Sequence, residues 1–389
     1  MLKRHLLRHA ALLVALLALA PAVSAAPDEE AVKKWESFDF SEQLVERAQL
    51  KDMPLEDLKL LRGIVFGRHG RVFKDWDIGI YLKERPWYKP NPNFSNSSLN
   101  DTERRNLDLI REMEARLHEA IEPGDMRWWQ ARAFSAKQLG EHNGAEWRIL
   151  RAEIEAIHGK RFDDQPWLQQ YFEDRYWYQA KDTYDPKLLT DTERRNMATI
   201  DAAQRKQRNV ALSPGDMEHF QKTPVSEAML HGLSLHELRL LRNEVYARRG
   251  RRFRTEWLSQ HFYSQPWYEP EQSEEFKEPE LSDIERKNIE LIVAYENRIR
   301  EELSTKPVST KLLDGLFLED ARKLRHEILA RRGKVFKDRW LQKYFESLGW
   351  YRPDPRFKEA ALTAVEKKNV SAILAYEKKA TSILDAIEG

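Results

Sequence analysis

Paired cations, an aromatic pair and no obvious nucleophile recur along this chain. Arg248-Arg249-Gly250 is followed by Trp267-Tyr268, and the association returns as Arg331-Arg332-Gly333 with Trp350-Tyr351 and as Arg68-His69-Gly70 with Trp87-Tyr88. Fixed cations beside aromatic faces suit acidic sugars, by charge and by stacking. The candidate binding residues are therefore Arg68, His69, Trp87, Tyr88, Arg248, Arg249, Trp267, Tyr268, Arg331, Arg332, Trp350 and Tyr351. A further copy keeps Trp177-Tyr178 but reads Ile157-His158-Gly159, so it lacks the first arginine and is expected to bind least. Each residue also has a quieter role, the glycine turn as a helix cap with dipole-matched cations and the Trp-Tyr pair as a core anchor.

Bond-making chemistry finds less to work with. The 11 histidines show no H-E-x-x-H spacing, and the chain has neither a G-x-S-x-G elbow nor a Gly-rich phosphate loop. Paired carboxylates for glycoside cleavage do not stand out among 64 acidic residues. Glu153, Glu244 and Glu327 recur at one position, but Ile64 stands there in the first copy, which a shared catalytic role would not permit. With no cysteine, thiol nucleophiles, zinc-cysteine sites and disulfides are excluded. No catalytic residue, metal or cofactor is assigned.

The elements that position these residues are repeated too. LRNEVYARRG, ending at Gly250, has counterparts LRGIVFGRHG, LRAEIEAIHG and LRHEILARRG ending at Gly70, Gly159 and Gly333. Such nearly even self-similarity signals a repeat protein. In the third copy Ser234 and Glu237 form a capping box, Leu238, Leu241 and Val245 make one apolar stripe, and Gly250 ends the helix with a basic last turn. A fixed aromatic follows three residues on (Phe73, Phe162, Phe253, Phe336), then a short helix carrying residues such as Trp257-Leu258 and His261-Phe262, then the Trp-Tyr pair and an extended loop. Asn100, Thr190, Ser282 and Thr363, each with a glutamate three residues later, start a last long helix. On its apolar face sits an asparagine: Asn106, Asn196, Asn288 or Asn369. Buried without a partner it would cost about 1–3 kcal/mol, so it is expected to bond to backbone near the repeat's glycine turn. Arg62, Arg151, Arg242 and Arg325 are expected to pair with a carboxylate such as the capping glutamate.

These residues resemble the YARHG domain, a bacterial extracellular module whose motif is met here as Tyr246-Ala247-Arg248-Arg249-Gly250. The likeness runs through the Phe, the Trp-Tyr pair and the Glu-x-x-Asn helix of all four copies. The first copy departs as Phe66-Gly67-Arg68-His69-Gly70 and the second as Glu155-Ala156-Ile157-His158-Gly159. The resemblance implies a small helical, extracytoplasmic module and no established activity.

The expected fold is all-α, a tandem array of four small helical repeats joined by linkers at Pro123-Gly124, Pro214-Gly215 and Lys306-Pro307. The repeats span residues 35–121, 123–210 (divergent), 214–304 and 307–388, after a signal peptide at 1–25. That leader has a basic start, an apolar run from Ala10 to Ala20 and small residues up to Ala26, too short to span a bilayer. Without Lys3, Arg4 and Arg8 the formal charge of +1 becomes about −2, which argues against nucleic-acid binding. The expectation is a periplasmic or secreted, non-catalytic binder of a cell-envelope glycan or protein, without a transmembrane segment after signal removal. An envelope glycan-active enzyme and a structural spacer are the alternatives.

Overall fold

A computed structural model of the chain describes residues 29–73, 75–272 and 278–384, so the leader lies outside the described residues. The described residues are helical, with no strand among them. Each repeat contributes three principal helices. They are α1 (Leu55–Gly67), α2 (Trp76–Lys83) and α3 (Asp101–Leu117) in the first copy. The second has α4 (Gly144–Ala156), α5 (Pro166–Glu173) and α6 (Asp191–Val210). The third has α7 (Leu235–Ala247), α8 (Glu256–Tyr263) and α9 (Asp283–Glu302). The fourth has α10 (Leu318–Ala330), α11 (Arg339–Glu346) and α12 (Ala364–Glu377).

Local sequence explains the helix starts. The boxes Thr190/Glu193, Ser234/Glu237, Ser282/Glu285 and Thr363/Glu366 form in full, so the glutamate reaches back to the cap amide while its own amide bonds the cap oxygen. Asn100 and Glu103 make the same exchange before α3. A proline at the first position of α5 gives up an amide that would have had no partner.

The chain divides into two compact units, the first ending at Leu117 and the second starting at His118. In the first, Leu58, Leu61, Ile64 and Val65 of α1 and Leu107 and Ile110 of α3 are fully buried, and the two helices pack together. In the second, α4 and α6 enclose Trp147, Leu150, Ile154 and Ile200. Repeats three and four are fused: one cluster joins Leu241, Val245 and Ile292 to Leu324, Ile328 and Ile373. Smaller clusters gather around the short helices, as Phe162, Leu168 and Phe172 do in the second copy. No helix among the described residues is long and apolar enough to cross a membrane.

Candidate functional site

The glycine turn is built the same way in every copy. The first helix stops before the two motif cations, which sit in the turn after it rather than in its last turn. Arg71, Lys160, Arg251 and Lys334 donate their amides back to the carbonyls of Phe66, Glu155, Tyr246 and Leu329 at 3.1–3.3 Å, while the glycine amide bonds inside that span at 2.8–2.9 Å. This is a Schellman closure, and it needs the left-handed conformation at the glycine, whose φ is +79° at Gly70 and Gly250. The glycine carbonyls then accept the amides of Asn91, Lys181, Glu271 and Asp354 at 2.8–2.9 Å, bringing the extended loop back against the turn.

The tyrosine of each Trp-Tyr pair fastens the same loop. Tyr88, Tyr178, Tyr268 and Tyr351 donate their hydroxyls to the carbonyls of Arg71, Lys160, Arg251 and Lys334 at 3.0, 2.8, 2.7 and 2.7 Å. Burial pushes the Tyr268 phenol up to about 12. The second motif residue meets the capping glutamate of the last helix in every copy: His69 with Glu103 at 2.7 Å, His158 with Glu193 at 2.8 Å, Arg249 with Glu285 at 2.8 Å and Arg332 with Glu366 at 2.8 Å. Those four glutamates are buried. Burial raises the Glu285 carboxyl, but hydrogen bonds from Arg249 and Ser282 outweigh it and hold the group below the usual carboxylate range.

The first motif cation lies on the tryptophan of its own copy. Arg68 is 4.3 Å from the Trp87 ring centre, Arg248 4.0 Å from Trp267 and Arg331 4.5 Å from Trp350. In the second copy Ile157 cannot do this, and Arg127 from the lead-in sits 5.7 Å from Trp177. The recurring glutamate bonds a backbone amide of the lead-in, the first motif arginine, or both. Glu244 accepts from the Gly215 amide at 2.6 Å and from Arg248 at 2.8 Å, and burial pushes its carboxyl up despite the guanidinium. Glu153 takes the Gly124 amide at 2.7 Å, and Glu327 takes Arg331 at 2.8 Å and Arg300 at 3.1 Å. Where the first copy has Ile64, the lead-in supplies Glu36 instead, which bonds Tyr81, Arg85 and Trp87 and whose carbonyl receives Arg68.

The structure thus brings the cation and the aromatic of each expected set together, with the cations engaged inside their own repeats. Removing Arg248, Arg249, Arg331 and Arg332 together would strand buried carboxylates, so those residues cannot be stripped without touching the fold. Two other expectations change. Arg62, Arg242 and Arg325 pair not with the capping glutamate but with Glu114, Glu296 and Glu377, far along the last helix, and Arg151 bonds Glu155. The capping glutamate is already taken by the second motif residue, a pairing legible only in that a histidine or arginine and a cap glutamate recur together in all four copies.

Each asparagine is buried and makes three bonds to backbone, but to the lead-in loop rather than the glycine turn. Asn288 accepts from the Val225 amide at 2.8 Å and donates to the carbonyls of Phe220 and Thr223 at 2.8 and 3.1 Å. Asn106, Asn196 and Asn369 make the equivalent bonds to Val45, Phe40 and Gln43, to Phe134, Trp129 and Arg132, and to Val308, Leu303 and Lys306. The reason is supply: the turn's groups are already paired, whereas the lead-in's short helices, such as Met217–Phe220, leave carbonyls at their ends and the residues that follow in need of partners. Among the described residues no group of three or more acidic or histidine side chains could hold a metal.

The YARHG domain family model matches this chain four times, over residues 35–115, 124–205, 216–297 and 299–378. No curated protein and no solved structure matches it.

Proposed function

From the premise that this chain belongs to the YARHG domain family, we propose that it works outside the cytoplasm as a non-catalytic array that binds a component of the cell envelope. The observation that carries this reading is the fate of the recurring polar residues. The motif cations, the tyrosine, the capping glutamate and the asparagine each end in bonds that close their own repeat. What the copies share is therefore a means of folding, and what they offer a partner is their outer surface. Arg68, Arg249 and Arg332 keep exposed faces while paired, and Trp350 is also exposed, so the first, third and fourth copies present cations and one aromatic edge. Several weak contacts on one chain gain from multivalency where their spacing lets them engage together.

The test is incubation of the mature protein with isolated envelope fractions, followed by mass spectrometry of what is retained and of what is released. Retention that falls with added salt, without release of soluble fragments, is the expected result. Soluble fragments would mark a glycan-active enzyme. Neither retention nor release would leave a spacer and sink the binding reading.

A further inference from the structure

Between the second and third repeats the chain forms a cleft of about 490 Å³, within the size range of small-ligand sites. Its floor is a backbone contact. Gly144, the first residue of α4, lies so close to Gly215 in the next lead-in that a Cβ on Gly144 would come within 2.4 Å of the Gly215 carbonyl group. Gly215, at φ +102°, is itself fixed by its amide bond to the buried Glu244. The junction is therefore held by close-packed backbone, and the start of a thirteen-residue helix adds its positive dipole end to the wall.

Four cations line the cleft, and they differ in how they are employed. Arg148 donates to Gln165 at 2.8 Å, and Arg151 bonds Glu155 at 2.8 Å. Arg208, near the end of α6, is half-buried, yet among the described residues its guanidinium has no hydrogen-bond or ion-pair partner. Lys222, exposed at the rim, has none either. The two carboxylates in the lining are otherwise engaged. Asp216 accepts the Ser213 amide and hydroxyl at 2.8 and 2.9 Å, and Glu218 lies 3.4 Å from Arg248.

We infer that this cleft is a binding site for a small oxyanion-bearing ligand, a carboxylated sugar or a phosphate ester, with Arg208 gripping the oxyanion and Lys222 closing over it. A half-buried guanidinium with no hydrogen-bonded partner is costly, and its planar fork matches the two oxygens of a carboxylate or phosphate. Burial already holds the Arg208 guanidinium below its ordinary value, with Asp216, Asp201 and Glu218 opposing and Arg205 adding to the effect. No other junction is required for this site, and neither Arg208 nor Lys222 belongs to the recurring motif. The inference rests on the binding reading above and gives it a ligand class.

Calorimetric titration of the full chain with sodium phosphate and with digalacturonic acid, using cellobiose as the neutral control, tests it. Saturable binding of at least one anion, weakened about tenfold or more in R208Q while cellobiose does not bind, is expected. Phosphate alone binding points to a phosphate ester, digalacturonate alone to a carboxylated sugar. If R208Q melts below wild type, the exposed K222Q decides: it should weaken binding without moving the melting temperature. Absence of anion binding to wild type, equal binding by R208Q, binding unchanged in K222Q when that variant decides, or equal binding of cellobiose would overturn the site. Envelope retention persisting in wild type and R208Q alike, with no anion bound, would remove this site and leave the binding array standing.

Discussion

At the scale of single residues, the side chain with the most to lose is the asparagine of the last helix. Asn288 is 1 % exposed and gives three bonds to the lead-in, at the end of its short helix Met217–Phe220 and in the irregular segment before the 3-10 turn Glu227–Leu230. Replacing it with leucine would orphan one amide and two carbonyls, at about 1–3 kcal/mol for each group that water cannot reach. Asn288→Leu should therefore lower stability by about 3 kcal/mol or more in chemical denaturation, while Asn297→Leu, at an exposed position, should leave it unchanged. Equal midpoints for the two variants would contradict the assignment. That Asn288 must be satisfied was legible from an amide lying on an apolar stripe. Its partner was not, because the lead-ins vary in sequence between copies and the bonds reach their backbone, which leaves no residue-type signature. The arginine partners escaped for a related reason: a carboxylate far along a charged helix looks like any solvated one until packing selects it.

At the scale of elements, the capping boxes and the glycine stop made the principal helices of each repeat readable, since each is a local rule written in a few adjacent residues, while the short lead-in helices such as Met126–Trp129 and Met217–Phe220 were not. What the spacing could not convey is that the glycine also makes room for another element. A Cβ at Gly70 would lie 2.4 Å from the Lys89 carbonyl, in the loop that the turn receives, whereas at Gly232, with nearly the same φ of +80°, nothing comes within 4 Å. Both positions impose the left-handed penalty on alanine, about 1–2 kcal/mol. Gly70→Ala should exceed Gly232→Ala by a further kcal/mol or more, roughly the cost of overpacking a fixed backbone. Thermal melts of the two variants compare them directly, and equal losses would show that the turn and the loop do not need their close approach.

At the scale of the whole molecule, periodicity told of four similar copies but not of how they share a core. Repeats three and four are joined through Leu313 and Leu316 of one lead-in and Leu212, Met217, Phe220 and Leu230 of the other, residues that lie in the variable segments and, apart from Met217, whose counterpart is Met126, carry no repeat signal. A chain cut at Thr305 should therefore uncover apolar surface on the third copy, at roughly 1.5–3 kcal/mol for each aliphatic side chain newly exposed. It should bind a hydrophobic dye and melt early, while residues 29–117, a compact unit, should keep helical circular dichroism and melt cooperatively when made alone. Dye-free, fully stable protein after the cut would show the shared cluster to be dispensable. The tyrosine fastening has one more consequence. Small proteins made for oxidising compartments often hold a returning loop with a disulfide, but here a phenol and a carbonyl do that work in all four copies of a chain without cysteine. Thiol reductants have no bond to cut and disulfide exchange no partner to scramble, so folding and unfolding should follow the same course whatever the glutathione potential around the protein.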